Sequence, residues 1–271
     1  MNELDRDEII NAIYAAVEPL PFVIAMWEGG SAAWDRENQW SDIDLQLLVD
    51  DEAVSNTIDC VDEALLTLSP VDIRFVVPQP TWHGHEQVFY RLRDAGEYRL
   101  VDLAVMRRSS PNQLNEYERH GVHKIIFDKT GEAKQTSLDR NAHGKLITDK
   151  LRQLSDKFPL FQCLVKKDLL RGNPIGAIVF YYSHTLFPLL TLLRIRHCPD
   201  RFGFGPRYAA VDLPPEVVQR VEPLWFVGSV DEIETKRAQV EEYFTETMKA
   251  IKDQYLPNAS TPELDTGLDT E

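Results

Sequence analysis

The sequence predicts an α+β (α/β) protein, in which a sheet flanked by helices is followed by a helical bundle. In the first half, short apolar runs alternate with stretches whose apolar residues recur at helical spacing. From about residue 137 onward, long stretches with helical spacing follow one another. Hydrophobic residues make up 43% of the 271 residues, so the chain can bury a core in one large domain or two modest ones.

The first half opens with a predicted amphipathic helix over residues 4 to about 18. Apolar runs predict a strand from Phe22 to Trp27 and a second one from Leu45 to Val49. A second amphipathic helix is expected from Asp51 to Leu68, and a third strand from Val71 to Val77. A short helical or loop excursion separates the first two strands, so the predicted order is helix, strand, helix, strand, helix, strand, which places helices against a sheet.

Beyond the third strand the pattern is less regular. A short helix is predicted from Trp82 to Leu92, and strands are predicted from Tyr98 to Arg107 and from His123 to Asp128. His83 and His85 suggest a metal pair, but no third ligand follows at a recognisable spacing, so a polar loop is the prediction.

The second half is predicted to be helical throughout. Apolar positions from Leu146 to Leu169 fit two helices broken near Pro159, and a last amphipathic helix contains Ile233 and Ile251. We therefore expect an α/β domain over 1–131 and a helical bundle domain over 132–256. Residues 257–271 are acidic and lack aromatic and basic residues, which predicts a disordered tail.

The composition limits which cellular compartment and which binding partners are expected. The net charge of −15 disfavours a broad surface for duplex nucleic acid. The segment from Ile175 to Leu193 lacks Lys, Arg, Asp and Glu, but its Gly, Pro, Ser and Thr content predicts a buried helix rather than a membrane span. The three cysteines form no CxxC pair and the N-terminus lacks the features of a signal peptide, so we expect a cytoplasmic protein without a membrane partner.

The most informative stretch runs from Phe22 to Val49. Its first apolar run ends in Gly29-Gly30-Ser31, and ten residues separate Ser31 from Asp42-Ile43-Asp44, which leads directly into the second run. Residues two apart on a strand face the same way, so Asp42 and Asp44 project together. Two convergent carboxylates beside glycines that admit a close backbone approach predict a site for a metal and phosphate.

This stretch resembles the signature of the DNA polymerase β-like nucleotidyltransferase superfamily. The matching features are the apolar strand, Gly30-Ser31, the spacer and the sequence Ser41 to Leu45 (SDIDL). The resemblance implies a mixed sheet with flanking helices. The helical second half extends it to two-domain aminoglycoside and lincosamide nucleotidyltransferases.

The same resemblance implies a reaction. A nucleotidyltransferase moves a nucleoside monophosphate, most often AMP from ATP, onto a hydroxyl group, here that of a small molecule. Two Mg²⁺ ions are implied at Asp42 and Asp44, and Gly29, Gly30 and Ser31 would contact the phosphates. An oligomer is compatible with the resemblance.

A third carboxylate is usually needed, as a metal ligand or as a general base. Asp72 and Asp102 share the same local pattern, each between two apolar residues of a predicted strand. Chain order in the resembling family favours Asp72, and both carboxylates could line one cleft. Alternatively, one of them pairs with an arginine such as Arg74 or Arg99.

Two other functions fit the same motif. One is an antitoxin-type protein adenylyltransferase; such modules are usually single short domains, and the helical second half argues against it. The other is a catalytically silent nucleotide-binding module on the same fold, which the intact Gly-Ser and Asp-Ile-Asp pattern disfavours.

Overall fold

A computed structural model of the protein describes residues 3–111 and 114–255. The chain divides into two compact units, the first ending at Leu138 and the second beginning at Asp139. The predicted acidic tail over 257–271 lies outside the described residues.

The first unit is a sheet with helices, as the alternation of apolar runs predicts. Short 3₁₀ turns at Ala32–Trp34 and Asp51–Ala53 precede the second strand and the second helix, respectively. The helices are α1 (Arg6–Val17), α2 (Val54–Leu68) and α3 (Tyr117–His120), and the strands are β1 (Val23–Glu28), β2 (Ile43–Val49), β3 (Val71–Val76), β4 (Glu86–Leu92), β5 (Leu100–Arg107) and β6 (Lys124–Asp128).

The six strands form one mixed sheet in the order β3-β4-β5-β2-β1-β6. Strands β2 and β5 are parallel, and the other neighbouring strands pair antiparallel. The predicted α+β class, a mixed sheet with flanking helices followed by a helical region, is therefore confirmed. The pairing of β2 with β5 brings together residues that are far apart in the chain.

The two faces of the sheet differ in character. One face packs on α1 and α2 and forms a large apolar core that includes Ile43, Leu45, Val101 and Leu103. Because side chains alternate along a strand, Asp44 and Asp102 project from the opposite face. That face holds only a small apolar cluster, which consists of Ile24, Ala25, Trp27, Leu48, Ala104 and Met106. The opposite face is called the acidic face below.

The short helix predicted from Trp82 to Leu92 is wrong, because this segment contains strand β4. Val88, Tyr90 and Leu92 are buried, whereas the residues between them are partly or fully exposed. This period of two fits a strand that is paired on both sides, with β3 and with β5. Long-range pairing thus decides the conformation here.

The second unit is helical. Its segments are α4 (Arg140–Leu170), α5 (Pro174–Phe180), a π-helical turn (Tyr181–Leu186), α6 (Phe187–His197), a 3₁₀ segment (Pro199–Phe204), α7 (Ala209–Asp212), α8 (Pro215–Trp225) and α9 (Asp231–Tyr255). The predicted break near Pro159 is wrong, because α4 runs through this residue. Leu151, Leu154, Phe158 and Val165 form one buried stripe across the proline, and this packing outweighs the lost hydrogen bond.

The segment Pro174–His197 is long and apolar enough to cross a membrane by length and composition alone. In the structure, its leucines at positions 186, 189, 190, 192 and 193 belong to the core of the helical unit. Arg194 is fully buried in the same segment and pairs with Asp212 at 3.0 Å. Its guanidinium also donates to the carbonyl oxygens of Gly205 and Arg207, and so holds the segment between the 3₁₀ segment and α7 against α6.

Two tyrosine hydroxyls bind the C-terminal end of α8. Tyr181 donates to the Leu224 carbonyl at 2.8 Å, and Tyr182 donates to the Trp225 carbonyl at 2.7 Å. The last carbonyls of a helix have no partner within the helix, so these hydroxyls satisfy them. Burial raises the pKa of the Tyr181 hydroxyl far above its ordinary value, which keeps it protonated as a donor.

We expect Tyr181→Phe to lower the free energy of unfolding by about 1–3 kcal/mol, because the buried Leu224 carbonyl loses the hydroxyl that donates to it. Tyr182 is partly exposed, so Tyr182→Phe, the matched control, should cost less since water can replace the hydroxyl. Urea unfolding measures both values. Equal stability of Tyr181→Phe and the wild type would contradict this account of the helix end.

Candidate active site

The glycine turn lies directly over the start of β2. After β1 ends at Glu28, the backbone N–H of Gly29 donates to the Asp44 carbonyl at 3.0 Å. Gly30 follows with φ +54°, and a Cβ at this position would overlap the Asp44 carboxylate. Only glycine combines this backbone conformation with this close approach. The turn and the carboxylate therefore form one structural unit.

The rest of the turn is held by its own backbone and by β2. A Cβ at Gly29 would overlap the side-chain amide of Gln46, so the backbone passes directly over this residue. Ser31 is buried, and its carbonyl accepts hydrogen bonds from the N–H groups of Trp34 and Arg36. Gln46 lies two residues after Asp44 on the same strand face.

Asp44 and Asp102 are register partners on the parallel strands β2 and β5. Neighbouring strands lie about 4.8 Å apart, so both carboxylates project side by side from the acidic face. Asp42 immediately precedes β2 and is exposed, and its carbonyl accepts a hydrogen bond from Arg6 at 2.8 Å. This bond ties the start of the strand to α1. The structure thus places Asp42, Asp44 and Asp102 at one end of two adjacent strands.

Asp72 lies elsewhere. It is on β3, the edge strand, which β4 and β5 separate from β2. Three strand spacings amount to roughly 14 Å. Its carboxylate accepts hydrogen bonds from Arg93 at 2.8 and 3.0 Å. The arginine pairing that the sequence left open is thus present at Asp72.

The two arginines considered as partners have other contacts. Arg74 donates to Asp62 on α2, and Arg99 donates to the Leu4 carbonyl. Asp102 instead accepts a hydrogen bond from Gln87 of β4 at 2.7 Å. The structure therefore brings Asp102, and not Asp72, to the Gly turn and Asp44.

Two glutamines of this site, Gln46 and Gln87, were not among the predicted residues. Gln46 could have been found from its spacing, because it continues the Asp42, Asp44 series by another two residues. Gln87 could not, because the segment that contains it was predicted to be helical.

Two histidines lie beside the apolar cluster of the acidic face. His123 stacks on Trp27 with ring centroids 5.2 Å apart, and its Nε2 contacts the Leu114 carbonyl at 3.1 Å. Burial lowers the pKa of His123, and burial together with the charge of Arg119 lowers the pKa of His120 to about 4. Both imidazoles are therefore neutral at pH 7, and neither supplies a positive charge for a phosphate.

The donor set fits a hard cation only in combination with a ligand. Within the described residues, no three His, Cys, Asp or Glu side chains stand so that they could hold a metal ion by themselves. Mg²⁺ is commonly bound by one or two carboxylates together with substrate phosphates. Asp44 and Asp102 offer such carboxylates, and the Gly30 backbone lies directly against the first of them.

The known proteins that match the chain are found among solved structures. No protein-family model matches the chain. No curated protein matches it either. Among solved structures, the chain is similar to an aminoglycoside 6-adenyltransferase from Bacillus subtilis, at 13% identity, with 92% of this chain and 91% of that one covered and a TM-score of 0.37.

Two further solved structures are similar over most of the chain. One is a nucleotidyltransferase-like protein from Exiguobacterium sibiricum, with 15% identity, coverage of 93% and 78%, and a TM-score of 0.38. The other is spectinomycin adenyltransferase from Enterococcus faecialis, solved with ATP and spectinomycin, with 12% identity, coverage of 93% and 99%, and a TM-score of 0.36. The chain is thus similar to solved nucleotidyltransferases over most of its length.

Proposed function

We propose that this protein is a Mg²⁺-dependent nucleotidyltransferase that moves a nucleoside monophosphate, AMP from ATP in the simplest case, onto a hydroxyl of a small molecule. The observation that carries the proposal is the placement of the Gly29-Gly30-Ser31 turn over Asp44, with Asp102 as its register partner. The glycine turn and two carboxylates thus lie together at one end of the sheet, which supports this proposal.

The reaction joins the acceptor oxygen to the α-phosphorus and breaks the bond from that phosphorus to the pyrophosphate oxygen. The backbone N–H groups of Gly30 and Ser31 would bind phosphate oxygens, since that of Gly29 donates to the Asp44 carbonyl. Asp42, Asp44 and Asp102 would hold the Mg²⁺ ions, of which the resemblance implies two. When bound, these ions would neutralise phosphate charge.

The proton of the acceptor hydroxyl needs a base. A carboxylate beside the metal site can accept it, and the position of Asp102 supports this residue over Asp72. Asp102 can serve as a metal ligand, as the base, or as both in turn. Asp72 is assigned no role in the proposed reaction, because Arg93 engages it at the far edge of the sheet.

The proposal also includes the kind of acceptor and the cellular compartment of the protein. The spectinomycin adenyltransferase that this chain resembles was solved with ATP and a small-molecule antibiotic. This supports a hydroxylated small molecule as the acceptor here. The net charge of −15 suits a cationic acceptor, and free cysteines suit a cytoplasmic protein.

Calorimetric titration with ATP, GTP, CTP and UTP, each with and without Mg²⁺, tests the proposal. We expect one triphosphate to bind only with Mg²⁺, and the double variant Asp42→Asn/Asp44→Asn to bind it at least about tenfold more weakly. Asp72→Asn is the control for a carboxylate outside the site; it removes one charge where the double variant removes two, and its affinity should equal that of the wild type.

Three results would contradict the proposal. A folded wild type that binds no triphosphate would favour a silent module on the same fold. Equal weakening by Asp72→Asn would show that binding follows overall charge rather than this site. Transfer to a copurifying protein, rather than to small hydroxylated compounds, would favour the protein adenylyltransferase.

A further inference from the structure

A chain of hydrogen bonds leads from the loop before β4 to Asp102. The backbone N–H of His85 donates to His83 Nδ1 at 3.1 Å, and His83 Nε2 lies 3.2 Å from Gln87 Oε1. Gln87 Nε2 in turn donates to Asp102 Oδ1 at 2.7 Å. Both histidines are buried, so water does not readily replace these bonds.

The direction of every bond in this chain follows from its ends. A backbone N–H can only donate, so His83 Nδ1 is the acceptor and Nε2 carries the proton of the neutral ring. An ionised carboxylate can only accept, so Gln87 must turn its amide nitrogen toward Asp102. Its oxygen then faces His83, where a proton is available. The two ends therefore agree on one orientation of the Gln87 amide.

The loop holds His83 in place from several sides. Thr81 Oγ1 lies 3.3 Å from His83 Nδ1, donates to the His85 carbonyl at 2.7 Å and accepts from the Gly84 N–H at 3.1 Å. The rings of His83 and His85 stack with centroids 5.1 Å apart. Gly84 has φ +83°, which favours glycine and lets the loop fold back on His83. His83 is therefore held in a fixed position.

We infer that His83 is a positioning residue that acts through Gln87 to hold the Asp102 carboxylate in one orientation. Because Oδ1 of Asp102 is engaged by Gln87, the orientation of Oδ2 is set as well. Both nitrogens of His83 form hydrogen bonds in this chain. The ring therefore orients the Asp102 carboxylate through Gln87 and does not act as a metal ligand. The catalytic consequence rests on the proposed function, whereas the hydrogen-bond chain itself does not.

The first test needs no activity. In the wild type, ¹⁵N NMR should show His83 as the Nε2–H tautomer, and the ¹³C signal of the Asp102 carboxyl should report its titration midpoint. Gln87→Met should shift this midpoint upward, because the ionised form loses a donor. His83→Phe should shift it in the same direction by a smaller amount, since Gln87 remains but is free to turn.

The controls separate positioning from folding. His143→Phe removes a buried histidine of the helical unit whose Nε2 contacts the Pro199 carbonyl, and should leave the Asp102 midpoint unchanged. His83→Asn keeps an acceptor for the His85 N–H but cannot reach Gln87, so it serves if His83→Phe does not fold. A purely structural role for His83 predicts no movement of the Asp102 signal in His83→Asn.

The second test measures transfer. We expect kcat to fall about 10–100-fold in Gln87→Met and His83→Asn, with little change in KM for the triphosphate. An Nδ1–H tautomer, or an unmoved Asp102 midpoint in the His83 variants, would overturn the inference whatever the activity. A shifted midpoint in a protein that transfers no nucleotide would uphold the hydrogen-bond chain and count against the proposed function.

Discussion

Asp102→Asn is expected to lower kcat by about 10²–10⁴-fold, the usual contribution of an acid–base group. Asparagine has nearly the same shape and can still accept the hydrogen bond from Gln87 through its side-chain oxygen. The variant therefore removes the charge and the basicity of the carboxylate while its position is kept. Pyrophosphate release under single-turnover conditions, once an acceptor is known, measures the change.

Asp72→Asn is the matched control for this experiment. Asp72 is also a strand aspartate between two apolar residues, but its partner is Arg93 on the far side of the sheet. Its exposed ion pair should contribute at most about 1 kcal/mol to stability and nothing to transfer. A large loss of activity in Asp72→Asn together with an active Asp102→Asn would show that chain order, rather than strand register, identifies the third carboxylate.

Gly30→Ala is expected to abolish Mg²⁺-dependent triphosphate binding. The added methyl group would overlap Asp44 Oδ2, so either the carboxylate or the turn must move. In addition, φ of +54° is unfavourable for alanine and costs about 1–2 kcal/mol. Calorimetry of triphosphate binding and urea unfolding, applied to the same preparation, measure the two effects.

Gly131→Ala separates the two causes. Gly131 has φ +71°, and a Cβ there would meet no atom within 4 Å. This variant should show the backbone cost alone, with triphosphate binding unchanged. If Gly30→Ala bound the triphosphate as tightly as Gly131→Ala does, the contact between the turn and Asp44 would have no part in the site.

The local parts of this site could be predicted from the sequence. The Gly29-Gly30-Ser31 turn and Asp44 are close in the chain, and their relation depends only on strand periodicity and on the needs of a tight turn. The amphipathic helices α1 and α2 were predictable for the same reason. Their apolar spacing is a property of each segment by itself.

The third carboxylate could not be chosen in this way. Asp72 and Asp102 have the same local pattern, and only the order of strands in the sheet distinguishes them. That order depends on β4. The sequence predicts a helix for the residues of β4, because the sequence of a strand does not show which strands pair with it. The same error concealed Gln87. At Pro159, the packing of a continuous buried stripe likewise outweighs the tendency of proline to break a helix.

The pairing of β2 with β5 also has a consequence for the order of folding. It is the one parallel pair of named strands in the described residues, and α2, β3 and β4 all lie between its members in the chain. Contacts between distant segments form only after the loop between them has closed, which makes them slow. The hairpins can therefore form early, while Asp44 and Asp102 become neighbours late. During refolding, affinity for a triphosphate should accordingly appear after most of the secondary structure has formed.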